Sequence, residues 1–211
     1  MKDYLLQSSI KRPRHVIALN GSKCCGKTAI AGMLEETGYG FVVNFFETRD
    51  MFYNELYQYL DREQLKQYEV NGASSLGWFA LDYHWRVKRY ADRKGLNMVF
   101  DHYLADYWIQ MLGAPNAFEA FTTLIMNLQL PSFQHGHHFY LDIDYDTYLY
   151  RREERRKELP DIPDTRIIER DLYARRRSHY KRLVDGGWLT EIDATQSKEK
   201  VFKSIIQQVE K

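Results

Sequence analysis

Cysteine is nearly absent: the 211 residues contain two, Cys24 and Cys25, adjacent in the chain. Neighbouring cysteines rarely bridge, so there is no disulfide framework, and a reducing compartment fits. Long apolar runs are missing as well. Stretches such as 41–46 and 139–141 fall far short of the roughly 18 residues of a membrane helix, and no apolar segment follows Met1-Lys2-Asp3. A soluble, cytoplasmic protein without a membrane partner is the expectation. Excess charge of either sign is also lacking. Thirty Lys+Arg against 29 Asp+Glu leave a net charge of +1, so no global field draws the chain to nucleic acid or membrane. Repeats, low-complexity tracts and linkers are not found. With 44% apolar and 28% charged residues, fibrous and disordered classes are excluded, and one domain over residues 1–211 with an ample core is expected.

What is present alternates between strand-like and helix-like segments. His15–Asn20 is an apolar run that stops at Gly21, and helical spacing follows over Lys27–Thr37. Phe41–Phe46 reads as a second strand, with helical stretches expected over Thr48–Glu69 and Phe79–Arg93. Asn97–Phe100 forms a short third strand that delivers Asp101 at its carboxyl end. Further on, Ala117–Leu130 is helical in spacing, His138–Ile143 is a fourth strand, and Asp146–Lys157 and Arg166–Leu183 are arginine-rich helices. Trp188–Ile192 and Ser197–Glu210 give the last strand and helix. Five strands alternating with helices argue for an α/β fold: a parallel sheet covered on both faces, with ligands beyond the strands' carboxyl ends.

Gly21-Ser22-Lys23-Cys24-Cys25-Gly26-Lys27-Thr28 matches G-x-x-x-x-G-K-[ST] at every position, between an expected strand and an expected helix. By average residue frequencies the bare pattern arises by chance in about one in a hundred chains of this length, and the flanking elements make coincidence rarer. The glycines allow the backbone to turn its N–H groups towards phosphate oxygens. The helix start adds a positive dipole end, Lys27 a point charge, and Thr28 a hydroxyl for Mg²⁺. All eight loop residues are therefore candidates for binding a nucleoside triphosphate. Cys24 and Cys25 are read as small residues in a crowded turn, a thiol activated by the helix N-terminus being the sharper alternative.

The segment from Phe79-Ala-Leu-Asp-Tyr83 to Phe100-Asp101-His102-Tyr103 resembles the thymidylate kinase family, where F-A-A-D-R leads through a glycine into a strand ending D-R-Y. Thr48-Arg49-Asp50 is similar to its T-R-E, and Ile192-Asp-Ala194-Thr195-Gln-Ser197 to its adenine-side loop. These landmarks follow the family's order over nearly the whole chain. The resemblance implies a three-layer α/β/α P-loop kinase fold with a five-stranded parallel sheet, Mg·ATP as donor, and an arginine-rich lid over about residues 151–165. It gives Ala194 and Thr195 to adenine, Arg49 to the acceptor, and Asp101 to Mg²⁺ or the acceptor if the sheet order is the family's. Three acceptor-side positions depart: Lys23 replaces a carboxylate, while His102 and Tyr83 replace arginines. Arg86, one helical turn beyond Tyr83, is a candidate substitute.

Phosphoryl transfer needs a phosphate cradle, Mg²⁺ and cations over the transferred group. Lys27, Asp101, Arg49, Arg152 and Arg156 are the catalytic candidates, with Arg151 and Arg155 sharing the lid. Thr28 and Asp101 are the metal candidates. An anionic acceptor mainly needs cations, whereas a hydroxyl acceptor benefits from a carboxylate base such as Glu47, Asp50 or Asp101. The family order favours a deoxynucleoside monophosphate. A hydroxyl on a nucleoside or on a hydroxymethylated DNA base is the alternative, and a non-enzymatic nucleotide-binding protein the other class. The basic stretch Arg170–Arg182 could follow a nucleic-acid backbone, but its tyrosines recur at helical spacing and the net charge is near zero, so a small acceptor is preferred. His135-Gly-His137-His138 lacks partners at zinc-ligand spacing and is read as a solvated turn. Oligomeric state, including a homodimer, stays open.

Overall fold

The computed structural model describes residues 16–43, 97–101, 106, 109, 136–158 and 167–211. Five strands are found among them: β1 (Val16–Asn20), β2 (Gly40–Val42), β3 (Asn97–Phe100), β4 (Gly136–Asp142) and β5 (Thr190–Asp193). They form one sheet in the order β2-β3-β1-β4-β5, and every pairing is parallel. The helices are α1 (Lys27–Glu36), α2 (Tyr145–Glu158), α3 (Arg170–Asp185) and α4 (Lys198–Val209).

Burial explains the order. A strand covered on both faces has to be apolar throughout, and β1, in the middle of the sheet, is buried at all five positions. Alternation along the strands then separates two faces. Ile17, Leu19, Val99, Phe139, Leu141 and Ile192 share one cluster with Ile30 and Leu34 of α1 and Val201 and Ile205 of α4. On the other face α3 lays Tyr180 flat on Tyr140, with ring centroids 4.5 Å apart. Helices on both faces of a parallel sheet give the expected three-layer α/β/α architecture.

Element bounds depart from the sequence reading by a few residues at most. The largest described change is at α3, expected from Arg166 and beginning at Arg170. β5 is expected from Trp188. Trp188 and Leu189 instead turn the chain by donating their N–H groups to Leu183 O, so the strand starts at Thr190. A second correction concerns the histidines. His137 and His138 belong to β4, where they pair with Ile17 and Ala18, and His138 is buried. The solvated turn is overturned because pairing with β1 extends β4 to Gly136. The lid expected over 151–165 is α2 helix as far as Glu158, and 159–166 lie outside the described residues. The helices expected over 48–69, 79–93 and 117–130 also lie outside them. No helix among the described residues is long and apolar enough to cross a membrane.

Candidate active site

The carboxyl ends of β1, β3, β4 and β5 bring Gly21, Asp101, Ile143 and Ala194 to one edge of the sheet, the ligand edge of open parallel sheets. The loop from Gly21 to Gly26 leaves β1 there and turns into α1. Gly21 has φ +144°, and a Cβ on it would lie 2.7 Å from Leu141 O and 2.8 Å from Cys25 Sγ. Only glycine lets the loop leave the strand this close to β4. Gly26, at φ +103°, is the N-cap of α1, and no side chain caps that helix start. An uncapped N-terminus presents backbone N–H groups and positive dipole to an anion.

Lys27, the first residue of α1, is 5% exposed. Its ammonium donates to Gly21 O at 2.6 Å and Ser22 O at 3.1 Å, and pairs with Asp106 Oδ2 at 3.2 Å. Burial, the largest single effect, pulls the lysine pKa down, but the Asp106 charge and hydrogen bond together with Cys25 and Asp101 outweigh it, so the ammonium is held above its ordinary value. Thr28 follows, exposed, and its Oγ1 donates to Asp101 Oδ2 at 3.3 Å. The expected adjacency of Asp101 to the loop strand holds, because β3 pairs directly with β1. Two oxygen ligands beside a phosphate loop fit a hard divalent cation such as Mg²⁺.

Cys25 is 2% exposed, and burial pushes its thiol up despite the nearby Lys27. It is packed within the loop, as the small-residue reading requires. Cys24, half-buried, takes φ +63°. Lys23 is exposed, and the Ser22 hydroxyl lies 3.1 Å from that of Tyr173.

The adenine-side candidates meet the loop through an arginine. Arg151 of α2 donates to Cys25 O at 3.3 Å and to Ala194 O at 2.7 Å. The turn after β5 is closed by Asp193, whose carboxylate accepts the Thr195 hydroxyl and backbone N–H and the Gln196 amide; these bonds, the Thr195 hydroxyl first, hold its carboxyl below the usual range. Ala194 and Thr195 are thus brought to the rim of the phosphate loop. Arg152 is half-buried. Arg156 is exposed and pairs with Glu153 on its own helix at 3.5 Å. Arg49, Glu47, Asp50, Arg86, Tyr83 and His102 lie outside the described residues.

At the end of β4, Asp142 forms a two-pronged pair with Arg177 at 2.7 and 2.8 Å, takes Lys181 at 2.9 Å and accepts the Tyr140 hydroxyl. Burial favours its neutral form, but Arg177, Tyr140 and Lys181 together keep it below the ordinary carboxylate value.

Sequence reasoning missed Asp106. Its Oδ1 accepts the Gly21 N–H and the Tyr180 hydroxyl, both at 2.6 Å, and the residue is 2% exposed. The available signal was a lone acid within Leu104-Ala-Asp-Tyr-Trp108, since carboxylates are rarely buried without a cation.

No protein-family model and no curated protein sequence matches the chain. Solved structures do match in fold. The structure of deoxyadenosine kinase from M. mycoides with dCMP and dCDP bound superposes with a TM-score of 0.56 at 14% identity, over 92% of this chain and 98% of that one. The same kinase with dATP bound gives 0.54 at 16% identity, over 93% of this chain and all of that one. The chain shares its fold with this kinase.

Proposed function

We propose that the protein is a Mg·ATP-dependent phosphotransferase acting on a nucleoside-type acceptor, a deoxynucleoside monophosphate by preference. The carrying observation is the loop 21–28, where a buried lysine, an uncapped helix start and the Thr28–Asp101 oxygen pair occupy one sheet edge. Mg·ATP, when bound, supplies the transferable phosphoryl group and the divalent charge. Lys27 neutralises phosphate oxygens at the loop, and Thr28 and Asp101 offer the metal its protein oxygens. Ala194 and Thr195 border the adenine, and Arg49, Arg152 and Arg156 supply cations for the acceptor and the transferred group. The two free cysteines suit a reducing, cytoplasmic setting.

The likeness of Thr48-Arg49-Asp50 and of residues 192–197 to thymidylate kinase motifs supports the monophosphate. A hydroxyl acceptor is the second reading. It is favoured by the fold shared with a kinase of deoxyadenosine, and Glu47, Asp50 or Asp101 would then be the base that takes the hydroxyl proton.

ADP release from Mg·ATP, measured over a panel of nucleosides, monophosphates and DNA with normal or hydroxymethylated bases, tests these readings, with Lys27→Ala as the blank. Stimulation by one deoxynucleoside monophosphate is the expected result. Stimulation by nucleosides or DNA alone would replace it with the hydroxyl reading, and ATP binding without stimulation would remove kinase activity towards all of these.

A further inference from the structure

Lys27 has three ammonium protons, and three oxygens already face them: Gly21 O, Ser22 O and Asp106 Oδ2. A phosphate oxygen can take a strong hydrogen bond from this lysine only if one of the three lets go. We propose that Asp106 is a built-in counter-ion for the phosphate loop, holding Lys27 when no nucleotide is bound and yielding it to the nucleotide phosphates. This rests on the nucleotide reading above.

Three observations single out Asp106 as the partner exchanged. The carbonyls of Gly21 and Ser22 belong to the loop backbone and cannot leave without unfolding it. Asp106 and a phosphate oxygen are both anionic, so they compete for one ammonium and repel one another in a site with little water. Finally, Asp106 does not become bare on release. Its Oδ1 keeps the Gly21 N–H and the Tyr180 hydroxyl, each at 2.6 Å, and these two donors fix the carboxylate while Oδ2 gives up the lysine.

The pairing spares the nucleotide-free protein an uncompensated buried cation. It also stabilises that form over the loaded one, so the carboxylate lowers nucleotide affinity by linkage. Asp106 is a positioning residue, acting through Lys27.

Asp106→Asn removes the charge and keeps an oxygen for the Gly21 and Tyr180 donors. Its Kd for Mg·ATP, measured by calorimetry at fixed ionic strength, should fall about tenfold below wild type. Without nucleotide its Tm should drop, and saturating Mg·ATP should restore much of the difference. Tyr180→Phe removes one donor but no charge, and its Kd should stay within about twofold. An unchanged or weaker Kd in Asp106→Asn, equal Tm losses with and without nucleotide, or equal tightening in Tyr180→Phe would overturn the exchange. If Asp106→Asn does not fold alone, recovery in Mg·ATP supports the proposal and failure to recover overturns it. A wild-type chain that binds no Mg·ATP would overturn the nucleotide reading and the exchange with it; binding without the Asn effect overturns only the exchange.

Discussion

Arg151 donates to Ala194 O at 2.7 Å from a helix 43 residues earlier in the chain, and the same guanidinium reaches Cys25 O. One planar fork thereby fixes the distance between the phosphate loop and the turn after β5. Lysine, a single point donor, cannot span both. Arg151→Ala should cost about 1.5–3 kcal/mol of stability, the range for hydrogen bonds to charged groups. Arg151→Lys should recover only part of it, and both should raise the KM for ATP. Chemical denaturation and steady-state kinetics check this.

Thr28 and Asp101 approach within 3.3 Å, and the proposed metal role requires both oxygens. Thr28→Val and Asp101→Asn should each lower turnover by about a hundredfold, comparable to losing one preorganised electrostatic contact. They should also raise the Mg²⁺ concentration needed for half-maximal rate. Titrating turnover with Mg²⁺ separates this from a loss of ATP binding; an unshifted Mg²⁺ dependence would exclude the metal role.

Acid should destabilise the protein through Asp142. Its carboxyl is lowered in the folded chain, so its contribution is full above the unfolded value of about pH 4 and disappears as pH falls through the lower folded value. Asp142→Asn should flatten this part of the urea stability profile. At neutral pH it should cost about 1–2 kcal/mol, less than a fully buried pair because Arg177 is partly exposed.

The two loop thiols should behave differently. Cys24 is half-buried, whereas Cys25 is 2% exposed with its thiol pushed up by burial. Iodoacetamide at neutral pH should therefore modify Cys24 first, as mapped by mass spectrometry, and the added bulk should block Mg·ATP binding. Because Cys24 has φ +63°, Cys24→Gly should fold at least as well as wild type and resist the block. Cys24→Val should lose about 1–2 kcal/mol. Preferential labelling of Cys25 would refute this order.

Much of the architecture was legible because buried parallel strands write themselves as apolar runs. β1 and β3 were read within one residue, and Gly21 marked the turn after β1. β5 was harder, since Trp188 and Leu189 extend the apolar run while their N–H groups serve the turn on Leu183 O. At β4 the strand was read from His138, and only its pairing with β1 shows that Gly136 and His137 belong to it as well.

By itself, the sequence determined the phosphate loop. The strand before it, the glycines at positive φ and the helix opening on Lys27 are all decided within about a dozen residues, by backbone sterics and helix-end hydrogen bonding. What Lys27 and the loop touch beyond the loop's own carbonyls was decided by the tertiary structure. Asp106 contacts Gly21 across 85 residues, and Arg151 contacts Cys25 across 126. Neither pairing has a local period or spacing to betray it. Each exists because a five-stranded parallel sheet brings its carboxyl ends to one edge, where buried charges and loop carbonyls must find partners outside water.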